Sequence, residues 1–393
     1  MNHQLTQYGV EDLKCVLEAF SKLGQDILAG KITDDVGAVN KKSLRTFRMK
    51  EACKLTQRSD AFLRKLETQN QEFKPNKING VRFYNLDLIN KIRDKADTRF
   101  KRPSGSSPVI MAIANFKGGV GKSIISKSIA DKFALAGLRV LSIGMDAQGT
   151  DSLYYGFIPD LEVSPEETIR PALLETSVNI KNLIKKTYFP GIDIIPGNLS
   201  LTDVEIKLTD YKEQMNQVKK LGFPDDRLTN AINHVKNDYD IILIDCGPNL
   251  NILTLNAINA CNSILVPVPP ALPDLASFCT FCHTLTEHLE NSNKIKELDF
   301  FRVLISKNPN NKSSQRIAKT IREHFGSYVL LRDIVYSSEI ELAASKFNSL
   351  YELNPSSKKS YKRGMESLES VFNEILDAIK MIWESQTNEV KNG

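Results

Sequence analysis

The chain has 393 residues, of which 25% are charged and 41% hydrophobic, as is ordinary for a globular protein. No apolar run approaches the roughly 18 residues that a membrane helix requires. The first residues carry neither the basic segment nor the apolar core of a signal peptide. These features argue against a membrane-spanning or secreted chain and predict a cytoplasmic protein of about two or three domains with no membrane partner.

Six cysteines do not suit a disulfide framework in a chain of this length. Cys279 and Cys282, followed by His283, have the spacing of a metal or redox pair. The sequence has no second pair and the neighbouring residues are apolar. The pattern therefore favours buried free thiols on a helix.

The net charge of +5 is unevenly distributed. Residues 41–102 contain 18 Lys and Arg against 7 Asp and Glu, a balance of +11, whereas residues 108–393 contain 31 against 34, a balance of −3. This asymmetry indicates that the N-terminal part contacts a polyanion. A solvated basic surface is the alternative, which charge alone does not exclude.

Residues 1–42 are predicted to be a helix followed by a linker. Apolar residues recur at helical spacing between residues 8 and 29, and their stripe is broad enough to require a partner. That partner is either the rest of the chain or a second subunit, so this helix is a candidate for dimerisation. The polar stretch from Gly30 to Lys42 is the linker.

Residues 43–102 are predicted to form a winged helix-turn-helix that binds DNA. A first helix covers residues 47–55, and the turn after it supplies Thr56 or Ser59 as the cap of the next helix. Residues 60–66 would form that second helix, the recognition helix.

A β-wing and a closing helix complete the predicted winged unit. Residues 77–84 alternate in polarity around a turn signal at Gly80, which suits a hairpin, and residues 86–92 have helical spacing. Small units of this kind bind DNA or other proteins, and DNA is the reading that we prefer. The residues expected to face phosphates or bases are Arg58, Arg64, Lys65, Lys77 and Arg82.

Residues 103–107 lie in a stretch rich in Pro, Gly and Ser, which predicts a flexible linker. Over residues 108–393, short apolar runs alternate with helical patterns, which predicts an α/β domain with a mostly parallel, doubly wound sheet. The predicted strands are residues 109–114, 139–144, 192–196, 241–244, 263–268 and 301–305.

A Gly-rich turn follows the first of these strands and precedes a helical pattern. It reads Lys117-Gly-Gly-Val-Gly-Lys122-Ser123. This context predicts a phosphate-binding loop, because glycines let backbone N–H groups surround phosphate oxygens and the helix N-terminus adds partial positive charge. Lys122 would reach the β- and γ-phosphates, and the Ser123 hydroxyl would bind Mg²⁺.

The loop has Phe116 where the ordinary P-loop has Gly, and it adds Lys117. In both respects it resembles the deviant Walker A box of the ParA/MinD class of P-loop ATPases. The resemblance implies that Lys117 crosses a dimer interface to the phosphates of the partner's nucleotide. It implies catalytic roles for Lys117, Lys122 and Asp146. It also implies nucleotide contacts from Lys117, Gly118, Gly119, Val120, Gly121, Lys122, Ser123, Ile124, Asn308 and Pro309, with Asn308 beside adenine.

Asp146 stands after the second predicted strand, in a segment that resembles the family's Asp-x-Asp-Pro-Gln pattern. Asp146 and Gln148 match the pattern, whereas Gly144 replaces the first Asp and Ala147 replaces the Pro. The resemblance implies that Asp146 orients the attacking water, and the two departures bear on the rate of hydrolysis. An Asp that caps a turn is the alternative.

Asp245 ends an apolar strand, as in a Walker B motif. The resemblance implies that Asp245 holds Mg²⁺, largely through water, beside Ser123. Gly247 and the loop after it resemble switch II, which responds to the γ-phosphate. An ordinary buried strand is the alternative.

These motifs occur in order from residue 109 to about residue 355 and, with the N-terminal helix and winged unit, resemble the larger ParA partition ATPases. The resemblance implies a slow, Mg²⁺-dependent ATPase that binds ATP and ADP as a homodimer. The ATP-bound dimer would bind DNA without sequence preference on the nucleoid, and a ParB-type partner would stimulate hydrolysis. The ADP or nucleotide-free form would bind an operator through the winged unit and repress its own genes.

A second basic region lies near the C-terminus. Lys346 is the closest match to a residue that meets non-specific DNA in related proteins. The other four cations belong either to the same DNA surface or to a solvated patch: Lys358, Lys359, Lys362 and Arg363.

Three other classes are alternatives. A MinD-like membrane ATPase would end in a basic amphipathic helix, but residues 365–383 have an acidic polar face, which predicts packing on the protein body. A nitrogenase-like iron protein needs cluster cysteines in a context that Cys246 and Cys279 lack. A DNA-binding repressor that uses nucleotide only as a switch is favoured by Gly144, and ATP turnover would separate it from a partition ATPase.

Overall fold

A computed structural model describes residues 22–24, 26–27, 41–175, 178–210, 218–219, 221–292 and 297–392. The predicted N-terminal helix at residues 8–29 lies almost entirely outside the described residues. Two units follow along the chain: a small unit at residues 43–102 and a large α/β unit from residue 108 onward.

The small unit has the predicted order of helix, turn, helix, hairpin and helix. Its first helix begins two residues later than predicted, because Phe47 and Arg48 extend the hairpin as a third antiparallel strand. Ser59 caps the second helix by accepting a hydrogen bond from the Phe62 N–H. The elements are β1 (Phe47–Arg48), α1 (Met49–Thr56), α2 (Asp60–Gln69), β2 (Asn76–Ile78), β3 (Val81–Tyr84) and α3 (Leu86–Ala96).

The large unit contains a seven-stranded sheet in the order β10-β9-β4-β8-β5-β7-β6. All neighbouring strands are parallel except the edge strand β6, which is antiparallel to β7. The prediction of a mostly parallel sheet is confirmed; the two-residue strand β6 was not predicted. The strands are β4 (Val109–Ile113), β5 (Val140–Met145), β6 (Lys185–Lys186), β7 (Ile192–Ile195), β8 (Ile241–Cys246), β9 (Ser263–Val268) and β10 (Phe300–Ile305).

Helices cover both faces of this sheet, as the two hydrophobic cores on its opposite faces show. They are α4 (Lys122–Ala136), α5 (Thr150–Tyr154), α6 (Arg170–Leu174), α7 (Leu201–Thr209), α8 (Arg227–Asn233), α9 (Ile252–Ala260), α10 (Leu272–Ser292), α11 (Lys312–Phe325), α12 (Ser338–Ala344) and α13 (Lys359–Asn392). Among the described helices, none has the length and apolar character needed to cross a membrane.

Helix α13 packs against the protein body, as its acidic polar face predicted. Its apolar stripe is buried in the same core as α4 and the small unit. The buried side chains of this stripe are Leu368, Val371, Phe372, Ile375, Ile379 and Trp383.

The two units share one core and several hydrogen bonds. The Arg93 guanidinium donates to the Leu55 carbonyl at 2.8 Å and to the Leu135 carbonyl at 2.6 Å, which joins α3 to the end of α4. The segment predicted as a flexible linker is held in place: the Trp383 indole donates to the Ser107 carbonyl at 3.0 Å. The small unit is therefore fastened to the helix that begins at the Gly-rich turn.

A buried ionic cluster lies midway along α4. Lys127 is fully buried, and its ammonium lies 2.7 Å from an Asp131 oxygen and 3.4 Å from a Glu352 oxygen. The ring of Tyr155 lies 4.8 Å from the same ammonium. Although burial alone lowers the pKa of Lys127, attraction to Asp131 and Glu352 raises it overall, so this lysine is charged.

We predict that Lys127→Met destabilises the protein by about 3–5 kcal/mol, because it leaves two buried carboxylates without their ion-pair partner. Chemical denaturation of the full chain measures this change. The control is Lys319→Met, which removes an exposed i,i+4 pair with Glu323 and should change the free energy of unfolding by about 1 kcal/mol or less. Equal effects of the two substitutions would contradict the assigned role of Lys127.

Candidate nucleotide-binding site

The Gly-rich turn joins β4 to α4 in the geometry of a phosphate cradle. Gly119 and Gly121 have φ values of 76° and 98°, a left-handed conformation that favours glycine. Gly121 is the residue that precedes α4, so the free N–H groups of the first helical turn adjoin the loop. The predicted strand–loop–helix context is present.

A cavity of about 410 Å³ opens beside this turn, a volume in the range of small-molecule sites. Residues from several other regions complete it: the end of β5 with helix α5, the loop after β8, the residues after β10, the segment from Ile334 to Ala344, and Leu368 of α13. Of the predicted site residues, the cavity is lined by Gly118, Gly119, Gly121, Lys122, Ser123, Ile124 and Asp146.

Lys122 is buried inside the turn. Its ammonium donates to the backbone carbonyls of Asn115 at 3.0 Å and Lys117 at 3.1 Å. Burial lowers its pKa, and attraction to Asp245 acts in the opposite direction. Lys122 is therefore held where a phosphate in the cradle would meet it.

Lys117 does not line the cavity. Its ammonium forms an ion pair with Asp274 of α10 at 2.9 Å. Sequence reasoning missed Asp274, because nothing in the residue pattern links the start of α10 to the loop. Within one chain, Lys117 is directed to its own α10.

Asp245 supplies a buried carboxylate behind the first turn of α4. Neither of its oxygens makes a hydrogen bond to any residue that the structure describes. Burial, followed by repulsion from Asp151, raises the pKa of Asp245 well above its usual range, although the nearby Ser123 hydroxyl opposes this rise. An uncompensated carboxylate beside a hydroxyl fits the oxygen ligands that Mg²⁺ prefers.

Asp146 lies at the end of β5 and lines the cavity. Its Oδ1 accepts a hydrogen bond from the Gln148 N–H at 3.0 Å. A Cβ placed on Gly247 would lie 3.5 Å from the same oxygen, so the loop after β8 approaches Asp146 closely. The predicted water-orienting carboxylate and the predicted switch loop are therefore neighbours.

Gly144 has a steric reason to lack a side chain. A Cβ at this position would lie only 2.8 Å from the Gly197 nitrogen, a backbone atom after β7. The chain thus has Gly144 in place of the family's first Asp at a point where two backbone segments lie close together.

Asn308, the residue predicted to contact adenine, makes hydrogen bonds within the chain. Its side-chain amide donates to Asp333 at 2.7 Å and its amide oxygen accepts from the Asn310 N–H at 2.9 Å. Neither Asn308 nor Pro309 lines the cavity. Asn308 instead forms a β-bridge with Val335. The segment that begins at this bridge lines the cavity through Val335, Tyr336, Ser337 and Ile340.

Val120 and Asp245 also stand outside the cavity lining. Val120 is buried, and its carbonyl accepts a hydrogen bond from the Ser306 hydroxyl at 3.0 Å. Sequence reasoning also missed Tyr154, which lines the cavity from α5. Tyr154 comes to line the cavity only because α5 packs beside the Gly-rich turn, and the sequence pattern does not reveal this packing.

Most cations predicted to contact DNA in the small unit have partners within the chain. Arg64 pairs with Asp60, and Lys77 and Arg82 both pair with Glu67, which ties the hairpin to α2. Arg58 donates to the Ala96 carbonyl at 2.6 Å. Lys65 on α2 and Lys346 after α12 are exposed. The two exposed lysines lie on different units.

Comparisons with known proteins relate most of the chain to other proteins. Residues 109–296 match the family described as an AAA domain. Protein SopA of Escherichia coli strain K12 is 32% identical over 387 residues, covering 95% of this chain and 99% of SopA. The chromosome partitioning protein ParA of Caulobacter vibrioides is 30% identical over 258 residues, covering 64% of this chain and 90% of that protein.

Solved structures show the same fold. A structure described as a partition protein aligns with a TM-score of 0.65 at 19% identity, over 94% of this chain and 98% of that one. Cobyrinic acid a,c-diamide synthase from Mycobacterium smegmatis, solved with ADP and magnesium, aligns with a TM-score of 0.55 at 22% identity, over 70% of this chain and 96% of that one. At these identities the likeness concerns the fold.

The similarity to SopA extends over nearly the whole of both chains, and the Gly-rich turn, Asp146 and Asp245 stand in the order that the family resemblance implied. The chain belongs to the ParA family of P-loop partition ATPases, which act in DNA segregation.

Proposed function

We propose that this chain is an ATP-dependent DNA partition protein that binds ATP or ADP with Mg²⁺ and hydrolyses ATP slowly. The observation that carries the proposal is that the phosphate cradle and Asp146 line one cavity, while the buried Asp245 carboxyl, which has no hydrogen-bond partner among the described residues, lies beside the first turn of α4. The structure of the distant diamide synthase with ADP and magnesium supports this ligand set.

Each residue of the cradle has a chemical task in this proposal. Lys122 exchanges its two carbonyl partners for phosphate oxygens, and the α4 N–H groups bind the same phosphates. Ser123 and, through water, Asp245 hold Mg²⁺, which neutralises charge on the phosphate oxygens. Asp146 orients the attacking water from the end of β5.

The proposed homodimer gives Lys117 a second partner. The Lys117 side chain is partly exposed, whereas Asp274 is mostly buried, so contacts with the phosphates of the other chain must offset the cost of leaving Asp274 without its cation. In the ATP-bound dimer Lys117 contacts the phosphates bound by the other chain. Dimer formation thereby becomes dependent on nucleotide.

Two separate surfaces serve the two proposed DNA-binding modes. In the ADP or nucleotide-free form, the small unit acts as a winged helix-turn-helix, binds the operator through the exposed face of α2 and represses the protein's own genes. In the ATP-bound dimer, Lys346 contacts DNA without sequence preference, which places the protein on the nucleoid. A ParB-type partner then stimulates hydrolysis and releases the protein from DNA.

A contact between the cavity and the Lys346 loop supports nucleotide control of the second surface. The ring of Tyr154, which lines the cavity, packs edge-on against Phe347 with 6.0 Å between centroids. Phe347 directly follows Lys346. A change in α5 on nucleotide binding would therefore be transmitted to this loop.

A DNA-binding repressor that uses nucleotide only as a switch is the second candidate. The absent side chain at Gly144 favours it, because a carboxylate of the family pattern is lost there. Steady-state turnover of ATP is the property that separates the two candidates.

We predict that Asp146→Ala lowers ATP turnover by about 10²-fold or more while nucleotide binding persists, because the attacking water loses its orienting group. Lys122→Ala should instead abolish nucleotide binding. Phosphate release and fluorescent-nucleotide titration measure the two effects. Asp238→Ala is the control, since this exposed carboxylate pairs only with Lys181 among the described residues. Unchanged turnover in Asp146→Ala would refute the role of that carboxylate.

We predict that Lys65→Ala and Lys346→Ala impair different DNA complexes. Lys65→Ala should weaken operator binding in the presence of ADP. Lys346→Ala should weaken sequence-independent DNA binding in the presence of ATP, and the slope of log affinity against log salt concentration should fall by the amount expected for about one phosphate contact. Binding titrations at several salt concentrations test both, and each variant serves as the control for the other. Parallel losses in both assays would contradict the division into two surfaces.

A further inference from the structure

Asp151 is a buried carboxylate to which no motif assigns a role. It lies in α5 and is only 2% exposed. Its Oδ2 accepts a hydrogen bond from the Ser142 hydroxyl at 2.9 Å, whereas its Oδ1 has no hydrogen-bond partner among the described residues. A buried carboxylate oxygen without a partner is unfavourable unless a cation or water compensates it.

Asp151 interacts electrostatically with two buried groups: the Lys127 ammonium, whose charge lowers the pKa of Asp151, and the Asp245 carboxyl. Repulsion from Asp151 contributes to the raised pKa of Asp245, and burial raises the pKa of Asp151 itself to about 6. Three buried carboxylate oxygens in this region thus lack hydrogen bonds within the described chain: Asp151 Oδ1, Asp245 Oδ1 and Asp245 Oδ2. Hard oxygen atoms of this kind suit Mg²⁺ and its bound water.

The backbone explains why the second carboxylate comes from α5 instead of from β5. Gly144 is directly opposite Asp245 in the sheet register. A side chain at Gly144 would collide with the Gly197 backbone, 2.8 Å from its Cβ. The strand therefore cannot supply an acidic group at the position that faces Asp245.

Helix α5 is hydrogen-bonded to the Gly197 backbone and holds Asp151 in place. The Ser152 hydroxyl donates to the Gly197 carbonyl at 2.7 Å and accepts from the Gly197 N–H at 3.0 Å. Ser142, the donor to Asp151, is itself fully buried in β5. Asp151 is therefore positioned from both sides before any ligand binds.

We propose that Asp151 is a positioning residue of the Mg²⁺ site, which orders Mg²⁺-bound water together with Asp245 and replaces the carboxylate that β5 cannot carry at Gly144. This inference rests on the proposed nucleotide-binding function. It names a residue that neither the sequence motifs nor the cavity lining contains.

The test measures the Mg²⁺ dependence of ADP binding to the full-length protein, by calorimetry at fixed ADP with increasing MgCl₂. Asp151→Asn should raise the half-saturating Mg²⁺ concentration by about tenfold, the usual scale for groups that orient metal ligands. Binding of ADP in EDTA should stay unchanged. Without Mg²⁺, the thermal midpoint of the variant should equal or exceed that of the wild type, because repulsion with Asp245 is removed.

Two further variants complete the test. Ser142→Ala keeps the Asp151 carboxylate but removes its hydrogen bond. This variant should also raise the half-saturating Mg²⁺ concentration, by a smaller factor than Asp151→Asn. Asp193→Asn is the matched control, since Asp193 is a buried strand carboxylate bonded to Tyr239 and Lys186. It should leave the Mg²⁺ dependence unchanged.

The outcomes separate this inference from the proposed function. If Asp245→Asn impairs Mg²⁺-dependent binding and Asp151→Asn has the Mg²⁺ dependence of the wild type, the role of Asp151 is overturned and the proposed function stands. If the wild type binds no nucleotide at all, both are overturned. If Asp151→Asn does not fold, a wild-type Mg²⁺ dependence in Ser142→Ala overturns the inference.

Discussion

The buried carboxyl group of Asp245 is the constraint on which the site depends. Its carboxylate is fully buried at the end of the central strand β8, beside the first turn of α4, and no described residue donates a hydrogen bond to it. Removing a carboxylate from water without a partner costs several kcal/mol. On the proposed function, Mg²⁺ bound with the nucleotide would offset this cost and stabilise the protein, since a ligand that binds only the folded state stabilises it.

Helix α4 connects the candidate nucleotide site to the rest of the molecule. Its N-terminus surrounds the phosphate cradle, its middle holds the Lys127 cluster, and its C-terminal end receives the Arg93 guanidinium from the small unit. The Lys127 cluster also includes Glu352, close in sequence to the loop that contains Lys346. One helix thus contacts the candidate nucleotide site, the small unit and the C-terminal loop, which provides a physical basis for the proposed nucleotide control of DNA binding.

The sequence predicted the parts whose signals are local. Short apolar strands, the glycines of the cradle and the capping role of Ser59 each follow from neighbouring residues, and the structure confirms the parallel sheet that they build. The Asn308 amide donates to Asp333, a residue 25 positions away, and no local pattern shows this contact. Asp151 and Asp274 were missed because their surroundings are tertiary: Asp151 acts electrostatically on Asp245, and Asp274 pairs with Lys117. The pairing of Lys77 and Arg82 with Glu67 likewise depends on how the hairpin folds back on α2.

A structure of the protein with a non-hydrolysable ATP analogue and Mg²⁺ tests the central claim most directly. The account predicts a dimer with an ion between the Ser123 hydroxyl and the Asp245 carboxylate, and with Lys117 released from Asp274 to the phosphates of the nucleotide bound by the other chain. A complex in which the analogue lies in the cradle while Asp245 has no ion or ion-bound water beside it and Lys117 still pairs with Asp274 would contradict the account.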